Sequence, residues 1–260
     1  MTTTLTWQPP AANAKIYVRS TLLFIGIIGA CLLFAPLILL QYPLPFTYRY
    51  QTSIIWIRFI LAWARITCGV RYHIEGLQHL NGLDTAIVLC KHQSAWETIA
   101  LRTFLPRQTA LLKRSLLWLP IWGWALATLK PIAIERKNKL SALRALLRKG
   151  KAALQEGLWV VVFPEGTRVA PGTMGTFNNG GAILAHKTGI PVLPIAHNAG
   201  YCWPRYSFLK YPGLIQVRIG PPISSKDKTP DQINQEAKAW ICQAMTELEP
   251  HPTQRNNSKQ

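Results

Sequence analysis

A histidine and a glutamate, His92 and Glu97, have a spacing that suits proton transfer. A neutral imidazole can take a proton from an alcohol, and a carboxylate on its other ring nitrogen stabilises the imidazolium that forms. Side chains five residues apart on one helix diverge by about 140°, so this pair can meet only if His92 precedes the helix. By itself the pair is more typical of a helix-capping glutamate beside an ordinary loop histidine.

The segments around this pair predict how it is positioned. Residues 86–90 are apolar and short, which is typical of an interior strand of an α/β sheet. Ser94 and Glu97 have the spacing of a capping box, so we expect the next helix to begin at Ser94. His92 would then lie in the strand-to-helix turn, at the sheet edge where α/β proteins bind ligands.

A second group of polar residues follows another predicted strand, residues 159–163. The sequence there, residues 164–168, reads Pro-Glu-Gly-Thr-Arg. Arginine suits a phosphate ligand because its planar guanidinium can donate two hydrogen bonds to one phosphate group. Taken alone, the motif is also compatible with an ordinary surface turn.

The remaining pattern predicts an α/β fold, with a central sheet flanked by helices. Helices are expected over 139–156, with Gly157 as the C-cap, and from Thr229 to about residue 248. The basic residues of 139–151 fit a solvated face or a docking surface for an acidic carrier protein. The tryptophan-rich stretch 116–129 fits either a membrane-surface patch or core packing. The predicted strands are 86–90, 131–134, 159–163, 192–196 and 215–219.

The N-terminal region has the character of a membrane anchor. Residues 22–40 contain no charged side chain and would span roughly 28 Å as a helix, so we favour a retained anchor over a cleaved signal peptide. Within 52–70, Arg58 and Arg65 share one face of an apolar helix, which favours an amphipathic helix at the headgroups over an ordinary core helix whose arginines reach solvent. No acidic residue occurs in 1–74, and basic residues flank the first helix on both sides. We therefore expect a membrane-embedded two-helix element that returns to the cytoplasmic face.

These features divide the chain into four parts. We expect an N-terminal tail over 1–14, the membrane-anchoring two-helix element over 15–74, an α/β domain over 75–249 and a disordered tail over 250–260.

Composition restricts the partners. The chain carries 29 Lys and Arg against 11 Asp and Glu, a net charge of +18, which predicts an anionic partner. An apolar content of 49% with ten tryptophans favours lipid, and no motif of a nucleic-acid-binding fold is present. The five cysteines are scattered and show no metal-ligand spacing, so we expect reduced thiols facing the cytosol and no metal site.

Four blocks in this order resemble the glycerolipid acyltransferase superfamily. They are His92 to Glu97, residues 132–136, residues 163–168 and residues 190–195. The resemblance extends over about residues 15–220 and is most specific at 163–168. It is strongest to the bacterial 1-acyl-sn-glycerol-3-phosphate acyltransferases of that superfamily.

The resemblance implies roles for particular residues. His92 would be the general base and Glu97 its orienting carboxylate, where the superfamily usually has an aspartate that is one methylene shorter. Lys113 and Arg168 would bind the substrate phosphate, with Arg136 as a further phosphate ligand. The substrate-binding set is completed by Glu165, Gly166 and Thr167, and backbone donors near Gly166 are expected at the oxyanion.

The implied reaction is acyl transfer from a thioester of coenzyme A or acyl carrier protein to lysophosphatidic acid, which gives phosphatidic acid in phospholipid biosynthesis. Neither a metal nor another cofactor is required. The implied location is the bacterial inner (cytoplasmic) membrane, with the catalytic domain on the cytoplasmic face. Two alternatives stay open: an acyltransferase for another lysolipid, such as lyso-ornithine lipid, and a non-enzymatic lipid-binding protein.

Overall fold

A computed structural model of the chain describes residues 7–135 and 138–249. Its centre is a seven-stranded sheet with the order β1-β7-β6-β2-β5-β3-β4. Every neighbouring pair of strands is parallel except β6 and β7, which are antiparallel. The strands are β1 (Val70–Glu75), β2 (Ile87–Cys90), β3 (Gln108–Lys113), β4 (Ile132–Ile134), β5 (Trp159–Val162), β6 (Val192–His197) and β7 (Gly213–Ile219).

The fold class predicted from the sequence is confirmed, because helices cover both faces of this sheet. The α-helices are α1 (Ala14–Leu40), α2 (Phe46–Cys68), α3 (Trp96–Phe104), α4 (Trp122–Thr128), α5 (Lys139–Gln155), α6 (Gly180–Thr188) and α7 (Pro230–Leu248). In β2, Val88 and Cys90 belong to the core shared with α1, α2 and α3. Ile87 and Leu89 belong to the core shared with α5 and α6. A strand buried on both faces has a continuous apolar sequence, which is why β2 is recognisable from the sequence alone.

Two strands were missed by the sequence pattern. The segment 52–70 was expected to be helical to its end, but α2 stops at Cys68 and Val70 begins β1. Gly69 makes this change of direction, since its φ of 70° is a conformation that favours glycine. β1 is an edge strand with mostly exposed side chains, so it lacks the apolar signature of an interior strand. β3 contains Gln108 and Lys113 and gives an equally weak signal.

Helices α1 and α2 pack closely against each other and against the sheet. A Cβ at Gly26 would lie 2.0 Å from the Trp63 Nε1, so glycine is required where the two helices meet. The same Trp63 nitrogen donates to the Leu22 carbonyl oxygen over 3.0 Å. On the inner side, Ile57 and Ile60 of α2 join the main hydrophobic core. The predicted boundary between residues 74 and 75 falls inside β1. The two helices before this boundary share the core of the α/β domain.

The outward face of α1 is apolar and exposed. Leu32 is 68% exposed and Leu33 is 59% exposed, although both are large aliphatic side chains. α1 is long and apolar enough to cross a membrane, on the criteria of length and composition. Arg58 and Arg65 of α2 line one groove together with β1, which confirms that they share a helix face.

The other predicted segments have mixed outcomes. The C-cap of α5 is Glu156, and the predicted cap Gly157 is the next residue, with a φ of 75°. α7 begins with a capping box between Thr229 and Gln232. In the stretch 116–129, α4 packs its Ala125 against α1, whereas Trp118 is 77% exposed. The predicted tail 250–260 lies outside the described residues.

Candidate active site

The sheet topology brings the predicted site residues to one edge. Strands β6, β2, β5 and β3 are neighbours and run parallel, so their carboxyl ends lie on the same side. His92 follows β2, and the 163–168 motif follows β5. Ala110 of β3 pairs with Val161 of β5, so Lys113 lies level with the start of that motif. Ligand sites of α/β proteins occur in this position.

The turn after β2 is organised by the carboxylate of Glu97. Its Oε1 accepts from the His92 Nδ1 over 2.8 Å, the Ser94 N–H over 2.8 Å and the Gln93 N–H over 3.1 Å. Helix α3 begins at Trp96, two residues later than predicted. The Ser94 hydroxyl accepts from the Trp96 N–H and donates to the Trp203 carbonyl oxygen, and the Ser94 N–H donates to Glu97, so half of the predicted capping box is present.

The electrostatics of this turn fix the tautomer of His92. Burial by itself raises the pKa of Glu97, but His197, His92 and the Ser94 N–H together bring that pKa below its usual value. An ionised carboxylate only accepts hydrogen bonds, so the His92 proton is on Nδ1. Nε2 then carries the lone pair, which is the arrangement a general base requires.

The imidazole of His92 is also held from its face. The Phe163 ring stacks on it with centroids 4.2 Å apart and an angle of 21° between the planes. Only 4% of the His92 side chain is exposed. The ring is therefore almost completely enclosed by the protein.

The carboxylate of Glu165 is fully used inside the protein. Its Oε1 accepts from the Lys91 ammonium over 2.6 Å and from the Gly175 N–H over 2.9 Å. Its Oε2 accepts from the backbone N–H of His92 over 2.9 Å. Both side chains of the Lys91 and Glu165 ion pair are 0% exposed. Glu165 therefore ties the turn after β5 to the turn that carries His92.

The remaining predicted ligands lie at the surface of the same edge. Gly166 and Thr167 are exposed, and Arg168 is half-buried. The Gly166 N–H donates to the Phe163 carbonyl oxygen over 2.9 Å, so this amide is used within the turn. Lys113 is exposed at the end of β3. Arg136 lies outside the described residues.

Comparisons with known proteins give the family. The sequence model named Acyltransferase matches residues 71–198, from β1 to just beyond β6. The chain is 46% identical to the 1-acyl-sn-glycerol-3-phosphate acyltransferase of Pseudomonas aeruginosa, over 80% of this chain and 82% of that protein. This chain belongs to the acyltransferase family.

More distant relatives agree with this assignment. The chain is 32% identical to 1-acyl-sn-glycerol-3-phosphate acyltransferase alpha of Mus musculus, over 68% of this chain and 63% of the mouse protein. The crystal structure of the 1-acyl-sn-glycerophosphate acyltransferase from Thermotoga maritima has the same fold, with a TM-score of 0.76. At 20% identity, that match covers 90% of this chain and 96% of the Thermotoga chain.

Sequence reasoning missed two residues that shape the site of this acyltransferase. Lys91 directly precedes His92, but its position in the sequence indicated only the polar boundary of a strand. His197 ends β6 and is 0% exposed, in contact with the site. A polar residue that follows an apolar strand is the signal that points to His92, and the same signal applied to β6 finds His197.

Proposed function

We propose that this acyltransferase moves an acyl group from a thioester to the free hydroxyl of lysophosphatidic acid, giving phosphatidic acid and a free thiol. The observation that carries the proposal is the 2.8 Å hydrogen bond between His92 and the buried carboxylate of Glu97. The names of the relatives in Pseudomonas and mouse support the acceptor.

In the proposed step, the Nε2 of His92 takes the proton of the lysolipid hydroxyl while the oxygen attacks the thioester carbonyl carbon. The carbon–sulfur bond then breaks, and the proton passes from the imidazolium to the departing thiolate. Glu97 stabilises the imidazolium during this exchange because its negative charge faces Nδ1. Both reactants are supplied from outside, so the atoms balance without a covalent enzyme intermediate.

Arg168 is our main candidate for the substrate phosphate. Its Nε is buried and has no hydrogen-bond partner in the described part of the chain, which supports an anionic ligand at that position. Lys113 would add positive charge from the end of β3, and we propose Arg136 as a further phosphate ligand. Gly166 and Thr167 would contact the headgroup from the exposed turn. For Glu165 we propose a positioning role, since its three partners are internal.

The acyl donor is a thioester of coenzyme A or of acyl carrier protein. Both are acidic, and the exposed Arg144, Arg148 and Lys151 of α5 offer a complementary surface. We propose that the enzyme is held in the inner membrane by α1, with this surface and the catalytic edge on the cytoplasmic side.

The test is acyl transfer in membranes that contain the His92→Ala variant. Removing a general base is expected to lower the rate by roughly 10²–10⁴-fold. His186→Ala is the matched control, because His186 is an exposed histidine at the end of α6 and should leave the rate unchanged. Near-normal turnover of His92→Ala at equal protein level would contradict the mechanism.

A panel of lysolipids tests the acceptor. The proposal predicts that phosphatidic acid is the main product when lysophosphatidic acid competes with lyso-ornithine lipid. If acylated ornithine lipid were the main product instead, the acceptor would be lyso-ornithine lipid, and the proposed role of His92 would be unchanged.

A further inference from the structure

The last residue of β6, His197, is a buried histidine with a defined tautomer. Its Nδ1 accepts from the Ala199 N–H over 3.2 Å, so the ring proton is on Nε2. That Nε2 lies 2.8 Å from the Lys91 carbonyl oxygen. Burial lowers the pKa of His197, although Glu97 and the Lys91 carbonyl oppose that effect, and the ring is therefore a neutral donor.

The two carboxylate oxygens of Glu97 differ in their hydrogen bonds. Oε1 takes three hydrogen bonds, whereas Oε2 is buried without a hydrogen-bond partner within residues 7–135 and 138–249. His197 Nε2 lies 3.8 Å from this Oε2. Burying a carboxylate oxygen without a hydrogen-bond donor costs free energy, so a nearby N–H has a large effect on the orientation of the carboxylate.

We infer that His197 is a positioning residue for Glu97. Its single ring N–H donates to the Lys91 carbonyl oxygen and also attracts the second carboxylate oxygen of Glu97. The inference rests on the proposed roles of His92 and Glu97. In this arrangement two imidazoles flank one carboxylate: His92 takes part in proton transfer, and His197 keeps the carboxylate ionised and directed at His92.

The length of the glutamate explains why such a second contact is useful. A glutamate has one more rotatable bond than an aspartate, so its carboxylate needs an additional fixed point to face the imidazole in one orientation. The Trp96 ring, 6.4 Å from the His197 ring centroid, packs beside this contact. The charged or titratable groups around His197 are Glu97, Lys91 and His92.

Two substitutions distinguish the contribution of the ring N–H to catalysis from that of the ring volume. His197→Gln can place an amide N–H near the original Nε2, whereas His197→Phe keeps a ring but has no donor. We expect His197→Phe to lower kcat about tenfold with KM unchanged, because the N–H that faces Oε2 of Glu97 from 3.8 Å is lost. His197→Gln should stay within about threefold of the parent enzyme.

The pH profile of kcat provides a readout that a packing role would not change. A carboxylate that no longer faces the His197 N–H interacts more strongly with the imidazolium of His92, so the acidic limb should move to higher pH in His197→Phe and return in His197→Gln. If His197→Phe does not accumulate, His197→Asn replaces it, since the shorter amide does not reach the Nε2 position. His186→Phe is the control for a histidine outside the site.

The outcomes are distinct. Equal losses in the Gln and Phe variants with an unchanged acidic limb would overturn the inference and leave His197 as a packing residue. An inactive His92→Ala together with a His197→Phe of parental kcat and pH profile would overturn this inference alone. A fully active His92→Ala would instead overturn the proposed function.

Discussion

Two buried glutamates at this edge of the sheet, Glu97 in the first turn of α3 and Glu165 in the turn after β5, have opposite surroundings. Glu165, after β5, has hydrogen bonds on both oxygens and a lysine ammonium 2.6 Å away. Glu97, in the first turn of α3, has three donors on one oxygen and none on the other within the described residues, and it faces the imidazoles of His92 and His197. The charge of Glu165 is neutralised locally and stabilises the fold. The carboxylate of Glu97 instead accepts from the Nδ1 of His92, which is the contact that the proposed mechanism uses.

Lys91 connects the two turns. Its ammonium pairs with Glu165, and its carbonyl oxygen accepts from His197, which in turn lies beside Glu97. One residue at the end of β2 thus fixes the turn after β5 through its side chain and the end of β6 through its backbone. A substitution in the Lys91 and Glu165 pair should mainly change the stability of the fold. A substitution of Glu97 should mainly change the rate of acyl transfer.

The largest effect is expected from Lys91→Met. Removing one partner of a buried ion pair leaves an uncompensated charge and typically costs about 3–5 kcal/mol. We expect the purified variant to unfold at a much lower denaturant concentration than the parent. The double variant Lys91→Met with Glu165→Gln should recover a large part of the loss, and a double variant as unstable as the single one would contradict this account.

Glu97→Gln should lower activity strongly, with a loss of stability smaller than that of Lys91→Met. The glutamine oxygen still accepts the three hydrogen bonds of Oε1, but the negative charge is absent and the amide turns a donor toward His197. We expect kcat to fall by roughly 10²–10³-fold, which is about 3–4 kcal/mol. The measurement is acyl transfer at matched protein level, alongside the unfolding midpoint. Activity within about tenfold of the parent would show that the carboxylate charge is not needed.

Arg168→Lys sharpens the assignment of the turn after β5 as an anion site. A lysine keeps the charge but loses the fork that binds two phosphate oxygens. We expect KM for lysophosphatidic acid to rise about tenfold with kcat little changed, about 1.4 kcal/mol of binding energy. Arg107→Lys serves as the control, because Arg107 is exposed and directly precedes β3, at the opposite edge of the sheet. An equal change in both variants would argue against the assignment.

The smallest effect concerns pH and stability. The pKa of Glu97 in the folded protein lies below its ordinary value of 4.5. The ionised carboxylate therefore adds stability that is present above about pH 4.5 and is lost as the pH falls through the lower folded value. The stability difference between the parent and Glu97→Gln should shrink as the pH is lowered below about 4.5. A difference that stays constant from about pH 7 to about pH 3.5 would contradict the lowered pKa.

Prediction of the fold from sequence succeeded where burial was uniform. The strands around Val88, Val161 and Leu193 are apolar on both faces, and such short apolar runs are typical of interior strands in an α/β domain. Prediction failed at β1 and β3, whose polar side chains are accepted because their backbones pair with neighbouring strands. Pairing between distant segments leaves no local pattern in the sequence.

For the site, too, local features were predicted and contacts between distant segments were not. His92 and Glu97 were found because a strand and a turn are local features, and their contact needs only the few residues between them. His197 and Lys91 were not recognised as parts of the site. Their partners, Glu97 and Glu165, are distant in the sequence, and only the parallel register of β6, β2 and β5 brings them together.

The sequence by itself determined that a histidine and a carboxylate stand at the end of a buried strand, behind an apolar and basic N-terminal region. The tertiary structure decided how each of the two buried glutamates is used. The reason is physical: whether a buried carboxylate stabilises the fold or serves a histidine depends on the donors that surround it, and those donors come from strands that meet only in the folded sheet.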